Sequence, residues 1–218
     1  MRFLLNPASY ALGDPSSVPN LLMQHLVIVG IAMGISVVIA LPLGVLVARY
    51  RPLYLPVVGV AGLFYTIPGL ALLAVLVPVT GLGTTTIVVP LVLYAQLVLI
   101  RNTAAAIQSI DPLLLEVGRA MGMSRGQLLR RVVTPLALPL VIAGVRVATV
   151  TTIGIASLAS LVGAGGLGDL IFSSIQNANY DEVFAGGLVV GAVAVAADLL
   201  LLGVETAAGR WRSTPVSR

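Results

Sequence analysis

Five long apolar stretches dominate this 218-residue sequence, and together they hold only two charged residues, Arg146 and Asp198. A membrane-spanning helix needs about 20 apolar residues, with a range of about 17–25. These stretches do not alternate between apolar and polar residues as the strands of a membrane barrel do. Charged residues make up 9% of the chain, against roughly 25% in an average soluble domain. The sequence therefore predicts an all-α membrane protein with five transmembrane helices, at about residues 21–48, 53–79, 84–100, 136–162 and 183–204.

The distribution of arginine orients these helices. Ten of the twelve arginines follow the first, third and fifth stretches, and Arg2 is the only one before the first. Because cytoplasmic loops carry an excess of Lys and Arg, this alternation predicts that the N-terminus lies outside and the C-terminus inside. We expect an extracytoplasmic leader (residues 1–20), a transmembrane domain (21–206) with a cytoplasmic loop (101–135), and a cytoplasmic tail (207–218).

The sequence lacks the residues that several kinds of active site require. It contains no Cys and no Lys, and its one histidine is His25. The absence of Cys excludes a thiol nucleophile, the absence of Lys excludes a Walker A loop, and a single His excludes a histidine cluster for a metal. We expect no catalytic residue, metal site, cofactor or nucleic-acid partner. His25 itself is expected at the outer membrane interface, without a function.

The polar stretch 101–135 is predicted to form two short helices. Asp111 suits an N-cap, and the proline after it suits the first helical position, while Gly122 suits the end of that helix. Ser124, with a glutamine three residues later, begins a capping-box pattern for the second helix, which we expect to end before Pro135. Such a hairpin is either a passive connection whose arginines contact lipid headgroups or a docking element that moves the attached spans.

Part of this stretch resembles the permease signature of bacterial ABC importers, which is Glu-Ala-Ala, three residues, Gly, nine residues, Ile, one residue and Leu-Pro. Glu116, Gly122 and Pro135 match it at the right spacing, and Val132 is a conservative match. Val117, Gly118 and Thr134 depart from the pattern. In that family this helix is the coupling helix, seated in a groove of a separate ATPase. The resemblance assigns ATPase coupling to Asp111, Glu116, Val117, Gly118, Ala120, Gly122 and Pro135.

Further motifs resemble a narrower group, the osmoprotectant permeases that serve glycine betaine, carnitine, choline and proline betaine. The resemblance covers about residues 26–205. Permeases of methionine importers have a similar size and share the loop pattern, so a methionine or other amino-acid importer is the alternative. The motifs lie at residues 65–73, 99–103, 116–139, 143–150 and 162–169.

The resemblance implies a type I ABC importer permease fold in a bacterial cytoplasmic membrane, in contact with lipid. Two permeases, identical or paralogous, would form one pathway. Two ATPase subunits would bind the ATP, so this chain would be no enzyme, and an extracytoplasmic binding protein would deliver the solute. The alternative of another class is a secondary transporter or channel acting alone, for which Asp198 is the only plausible coupling acid.

Arg146 and Asp198 are predicted to lie at similar depths inside the membrane. At 1.5 Å of rise per residue they are about 15 Å and about 12 Å from the cytoplasmic ends of their spans. Because charges inside a membrane usually pair or face the bundle interior, we expect a direct pair or a shared polar network. The alternative is a snorkelling Arg146 and an interfacial Asp198.

A polar cluster around Pro68 is a candidate for the translocation path. Proline removes a backbone hydrogen bond, so freed carbonyls and the hydroxyls of Thr66 and Thr149 could meet a hydrated solute. Tyr65 suits a quaternary ammonium, because aromatic faces attract such cations. The alternative is a kink sealed by neighbouring helices. The glycine loop (residues 163–168) is expected to form a close-packed turn on the outer face.

Overall fold

The computed structural model describes residue 3 and residues 6–11 and 13–209, so parts of the predicted leader and nearly all of the predicted tail lie outside the described residues. Every regular element in these ranges is helical. Two 3-10 helices (Pro7–Tyr10 and Ser157–Val162) and one π-helix (Leu129–Val133) accompany the α-helices. The α-helices are α1 (Val18–Arg49), α2 (Arg51–Thr66), α3 (Gly69–Thr80), α4 (Thr84–Gln108), α5 (Pro112–Ala120), α6 (Arg125–Leu128), α7 (Thr134–Ala156), α8 (Asp169–Gln176) and α9 (Tyr180–Gly209).

Four segments in the described part of the chain are long and apolar enough to cross a membrane: α1, α4, the continuous helical segment Arg125–Val162, and α9. The pair α2 and α3 passes the same test together but is bent by 92°. The break falls at Ile67 and Pro68, where Ile67 has the extended backbone (ψ 126°) that a following proline favours. The predicted span 53–79 is thus two helices, and the structure has four or five candidate spans.

The helices extend beyond the predicted spans because polar residues continue the helical turns at their ends. Helix α4 runs to Gln108 and so takes in the first eight residues of the predicted loop. Helix α9 begins at Tyr180 and continues to Gly209. The regular α-helix of the fourth span ends at Ala156, and a 3-10 helix completes it.

The prediction that the second hairpin helix ends before Pro135 is wrong. Helix α6, the π-helix and α7 follow one another without a gap, and Pro135 lies in the first turn of α7. Proline lacks an N–H, and its ring clashes with the carbonyl four residues earlier in an α-helix. The wider π-helical turn accommodates it, since the Thr134 N–H bonds the Leu129 carbonyl five residues back.

Helix α4 is the centre of the bundle and packs against α1, α2 and α7. Two glycines let the neighbouring helices approach it closely. A Cβ atom on Gly44 of α1 would lie 2.5 Å from the Thr103 Cβ, and one on Gly144 of α7 would lie 2.5 Å from the Asn102 Cβ. Small residues at such contacts let helix backbones come together in a membrane. Helix α9 packs mainly against α7 and α8 and leaves most of its surface uncovered.

Candidate functional site

The hairpin (residues 111–133) is stabilised by the caps that the sequence predicts. The Asp111 carboxylate accepts a hydrogen bond of 2.9 Å from the Leu113 N–H and so caps α5. The Ser124 hydroxyl accepts from the Gln127 N–H, and the Gln127 side chain accepts from the Ser124 N–H at 2.8 Å. Gly122 follows α5 with a φ of +77°, a left-handed conformation that disfavours side chains. These local interactions define the turn of the hairpin.

Gly118, one of the departures from the importer signature, lies where α5 meets α6. It is buried, and a Cβ atom there would be 2.6 Å from Leu128 Cδ1 and 3.4 Å from the Met123 sulfur. Glu116, Val117 and Ala120 on the same helix are exposed. Gly118 therefore belongs to the inside of the hairpin, and the other three side chains belong to its outside.

One face of α5 is apolar but is not covered by the rest of the described chain. Leu113, Leu114, Val117 and Met121 are all exposed on it. On the other side, Leu115 packs into a cluster formed by residues of α4 and α7, and half-buried Pro135 follows the hairpin at the start of α7. The hairpin is thus anchored to two long helices and presents a free apolar face, a surface typical of protein contacts.

Arg146 and Asp198, the two charged residues of the predicted spans, are directly paired. Arg146 Nε and Nη2 donate to the two Asp198 carboxylate oxygens at 3.0 Å each. Arg146 Nη1 also donates to Glu205 at 2.6 Å. The Arg146, Asp198 and Glu205 side chains are 19%, 37% and 25% exposed, so the three groups form a partly buried network that joins α7 to α9. Sequence reasoning missed Glu205, although its position seven residues after Asp198 places both on one face of α9.

The break at Pro68 is closed on one side by a tyrosine of α4. The Tyr94 hydroxyl donates to the Ile67 carbonyl at 2.9 Å, and the Tyr65 and Tyr94 rings meet edge to face with centroids 6.1 Å apart. The Thr66 hydroxyl donates to Leu63 of its own helix. The Ile67 carbonyl beside the break therefore has a hydrogen-bond donor on a neighbouring helix. This arrangement corresponds to the alternative of a kink sealed by neighbouring helices.

Tyr65 also borders an open groove of about 520 Å³ between α2, α4 and α7. Thr149 is not among its lining residues, and Val147 is the residue of α7 that lines the groove. The Thr149 hydroxyl donates to the Val145 carbonyl within α7. We call this space the tyrosine groove. It is lined by Tyr54, Tyr65, Leu97, Val98, Arg101, Asn102, Ala105 and Val147.

The glycine loop (residues 163–168) packs tightly against α1, as expected for a close-packed turn. The Gly166 N–H donates to the Gln24 side chain at 3.0 Å, and a Cβ atom on Gly166 would lie 3.3 Å from His25 Nδ1. His25 is fully buried, with Nε2 3.1 Å from the Ile153 carbonyl. His25, predicted at the outer membrane interface, is covered by a loop more than a hundred residues away in the sequence.

Comparison with known proteins identifies the family. Residues 40–210 match the family described as "Binding-protein-dependent transport system inner membrane component". The chain belongs to this family. Its ABC-transporter permease subunits lie in the inner membrane and lack an ATPase site of their own. The predicted resemblance to ABC importer permeases is therefore confirmed.

Two curated relatives of this permease family narrow the resemblance to osmoprotectant permeases. Over 135 residues the chain is 45% identical to the carnitine transport permease protein OpuCD of Listeria monocytogenes serotype 1/2a (strain 10403S), covering 62% of this chain and 60% of that protein. It therefore spans about three fifths of the length of that relative. Over 197 residues it is 39% identical to the osmoprotectant import permease protein OsmW of Salmonella typhimurium (strain LT2), covering 88% of this chain and 92% of that protein.

The fold of the permease is that of a type I ABC importer. A structure of the MetNI methionine ABC transporter in an inward-facing conformation superimposes with a TM-score of 0.79 and 25% sequence identity. The superposition covers 88% of this chain and 95% of that one. The all-helical permease fold predicted from the sequence is confirmed.

Proposed function

We propose that the chain is the transmembrane permease subunit of an ATP-driven importer for osmoprotectants such as glycine betaine, carnitine, choline or proline betaine. The observation that carries this proposal is the similarity to the osmoprotectant import permease OsmW along almost the whole of both chains. The MetNI structure has the same fold at lower identity, so a methionine or other amino-acid importer is the second candidate.

The proposed topology has five spans, with α2 and α3 forming one broken span. The N-terminus is outside and the C-terminus inside, in accordance with the positive-inside rule. In support, the arginines of the hairpin and Arg49 and Arg51 between α1 and α2 then lie on the same side. This arrangement places the glycine loop on the outer side.

The proposed partners follow from the two ends of the permease. A separate ATPase dimer binds the exposed apolar face of α5. The ATPase subunits bind the ATP, because this chain has no lysine for a Walker A loop. An extracytoplasmic binding protein delivers the solute to the outer side, and a second permease copy, identical or paralogous, completes the pathway. Among the described residues no group of three or more His, Cys, Asp and Glu side chains is placed to hold a metal ion.

In the proposed mechanism the hairpin is a lever without covalent chemistry. Leu115 anchors it to α4 and α7, and the Arg146 network joins α7 to α9. A displacement of the hairpin by the ATPase therefore moves three long helices together. The break at Pro68 lets α2 and α3 change their angle to this unit, which gives a two-state element that ligands at both ends can bias.

Reconstitution tests the proposed function. The permease, its ATPase and its binding protein are placed in proteoliposomes, and uptake of radiolabelled glycine betaine and methionine is measured with and without ATP. We expect uptake of glycine betaine to depend on ATP and to be reduced by unlabelled carnitine. Uptake of methionine alone would favour the second candidate, and uptake without the ATPase would show a secondary transporter or channel.

A further inference from the structure

The tyrosine groove runs along the part of α4 that leads to the hairpin. Tyr94, whose ring contacts Tyr65, is ten residues from the start of α4, and Arg101 is seventeen residues from it. At 1.5 Å of rise per residue these positions are about 15 Å and about 25 Å along the helix. Since the hydrocarbon core is about 30 Å thick, the groove extends from the middle of the proposed span to its inner edge.

Arg101, at the inner end of its span, differs from Arg146, which lies within one. Arg146 is neutralised by two carboxylates, whereas among the described residues Arg101 makes no ion pair. Its neighbours Asn102 and Thr103 are held in close helix contacts with Gly144 and Gly44, but the Arg101 side chain is exposed. At the inner edge of a span a long charged side chain extends toward water and polar groups rather than into lipid. The guanidinium is therefore available to an anionic group in the groove.

The aromatic residues of the groove provide the complementary chemistry. Tyr65 is 44% exposed, and its ring rests against Tyr94, which is itself tied to the Ile67 carbonyl. Tyr54 lines the same groove about three helical turns before Tyr65 on α2. Tyrosine rings attract quaternary ammonium groups by cation–π interaction. The groove is therefore lined by the Arg101 guanidinium of α4 and by two tyrosines of α2, and its volume lies in the range of about 300–1,000 Å³ found for small-molecule sites.

We propose that the tyrosine groove is a binding site of the permease itself for a zwitterion that carries both a carboxylate and a quaternary ammonium. The Arg101 guanidinium binds the carboxylate through charge-assisted hydrogen bonds, and the ring of Tyr65 binds the ammonium. This inference rests on the proposed function and extends it. The permease then binds glycine betaine more tightly than choline, because choline lacks the carboxylate that Arg101 binds.

Binding to the purified permease–ATPase complex tests this site directly. The complex is kept in dodecyl maltoside, which carries no charge, and equilibrium dialysis is done with glycine betaine and choline as probes. For Arg101→Gln we expect the affinity for glycine betaine to fall about tenfold or more, while the affinity for choline changes by less than about twofold. The control variant Arg51→Gln removes an exposed arginine that does not line the groove. It is expected to leave the affinities for both probes unchanged.

Two tyrosine variants test the cation–π part. Tyr65→Leu is expected to weaken binding of both probes by about two- to thirtyfold, whereas Tyr65→Phe keeps the ring and the affinity. Equal weakening of both probes by Arg101→Gln, or no weakening of glycine betaine, overturns the zwitterion site. Loss of glycine betaine binding on addition of phosphatidylethanolamine also overturns it, by showing that the groove holds a lipid headgroup.

The uptake assay separates this inference from the proposed function. If wild-type proteoliposomes import glycine betaine but Arg101→Gln binds and imports it normally, the permease function stands and the site is wrong. If the wild-type importer transports methionine and no glycine betaine, the proposed function fails first, and with it the assignment of the groove.

Discussion

The hairpin and the tyrosine groove are joined by α4 but are built in different ways. The hairpin is defined by residues that are close in sequence, such as the Asp111 cap, the Ser124 capping box and the left-handed Gly122. The groove collects side chains from three helices, and Val147 lies more than eighty residues after Tyr65. The geometry of the hairpin thus depends on a short local pattern, while the groove depends on the packing of the whole bundle.

Helix α4 connects the groove directly to the hairpin. Arg101 and Asn102 line the groove, and α4 continues from them to Gln108, just before the hairpin. No flexible linker separates the two. We therefore expect changes in the hairpin to alter the energetic coupling to the ATPase, and changes in the bundle to alter the stability of the groove.

Removal of Arg146 is expected to have the largest effect. Arg146→Gln leaves the carboxylates of Asp198 and Glu205 together without their cation, which removes the contacts that join α7 to α9. Thermal unfolding in detergent should show a large loss of stability. Arg130→Gln, which removes an exposed arginine of the hairpin, should change stability by less than about 0.5 kcal/mol.

A charge exchange sharpens this prediction. Arg146→Asp and Asp198→Arg should each fail alone, because each leaves like charges together in the network. The double variant restores one arginine and two carboxylates at the same three positions and should regain part of the stability. If it regains none, the contacts between Arg146 and Asp198 are not what joins α7 to α9.

Gly118→Val is expected to disrupt the hairpin with little effect on the bundle. The new side chain meets Leu128 at the contact of α5 with α6, and overpacking of this kind costs about 1–3 kcal/mol. Co-purification of the ATPase should fall strongly. Gly126→Ala is the matched control, because a Cβ atom there meets nothing within 4 Å. Equal losses for both variants would contradict the role of the α5–α6 contact.

Gly122→Ala should have a smaller effect on the same hairpin. A left-handed residue other than glycine costs about 1–2 kcal/mol, so the turn after α5 should become less stable, and the solute imported per ATP hydrolysed should decrease. Gly122→Asn should do less harm, because Asn tolerates this conformation better. An alanine variant as efficient as wild type would show that the turn is not strained.

Tyr94→Phe should have the smallest effect, a loss of bundle stability without a change in the hairpin. The change removes the hydrogen bond to the Ile67 carbonyl, worth about 0.5–1.5 kcal/mol, and keeps the ring contact with Tyr65. A modest loss of thermal stability with normal co-purification of the ATPase is expected. Loss of ATPase binding would break the division between the two regions.

The different origins of the two regions also explain what sequence reasoning could reach. Caps are encoded within a few residues, so both hairpin caps were predictable. The Arg146–Asp198 pair was found by counting helical rise from the ends of two spans. Both predictions use only the regular geometry of a helix.

The features that sequence reasoning missed depend on contacts between distant segments. The burial of His25 needs the glycine loop to fold back over α1. The 92° break at Pro68 is completed by the Tyr94 hydroxyl on another helix, and proline alone predicts only a kink. The tyrosine groove exists only once α2, α4 and α7 are packed together.

The most direct test of the central claim is to place a charge on the free face of α5 and to measure solute-stimulated ATP hydrolysis in the reconstituted importer. Val117 is exposed and outside the hairpin core, so Val117→Glu should leave the permease folded, as its elution from a size-exclusion column would show. If α5 is the docking surface, stimulated hydrolysis and uptake of glycine betaine are both lost. Wild-type hydrolysis and uptake in this variant would contradict the assignment of the hairpin as the coupling element.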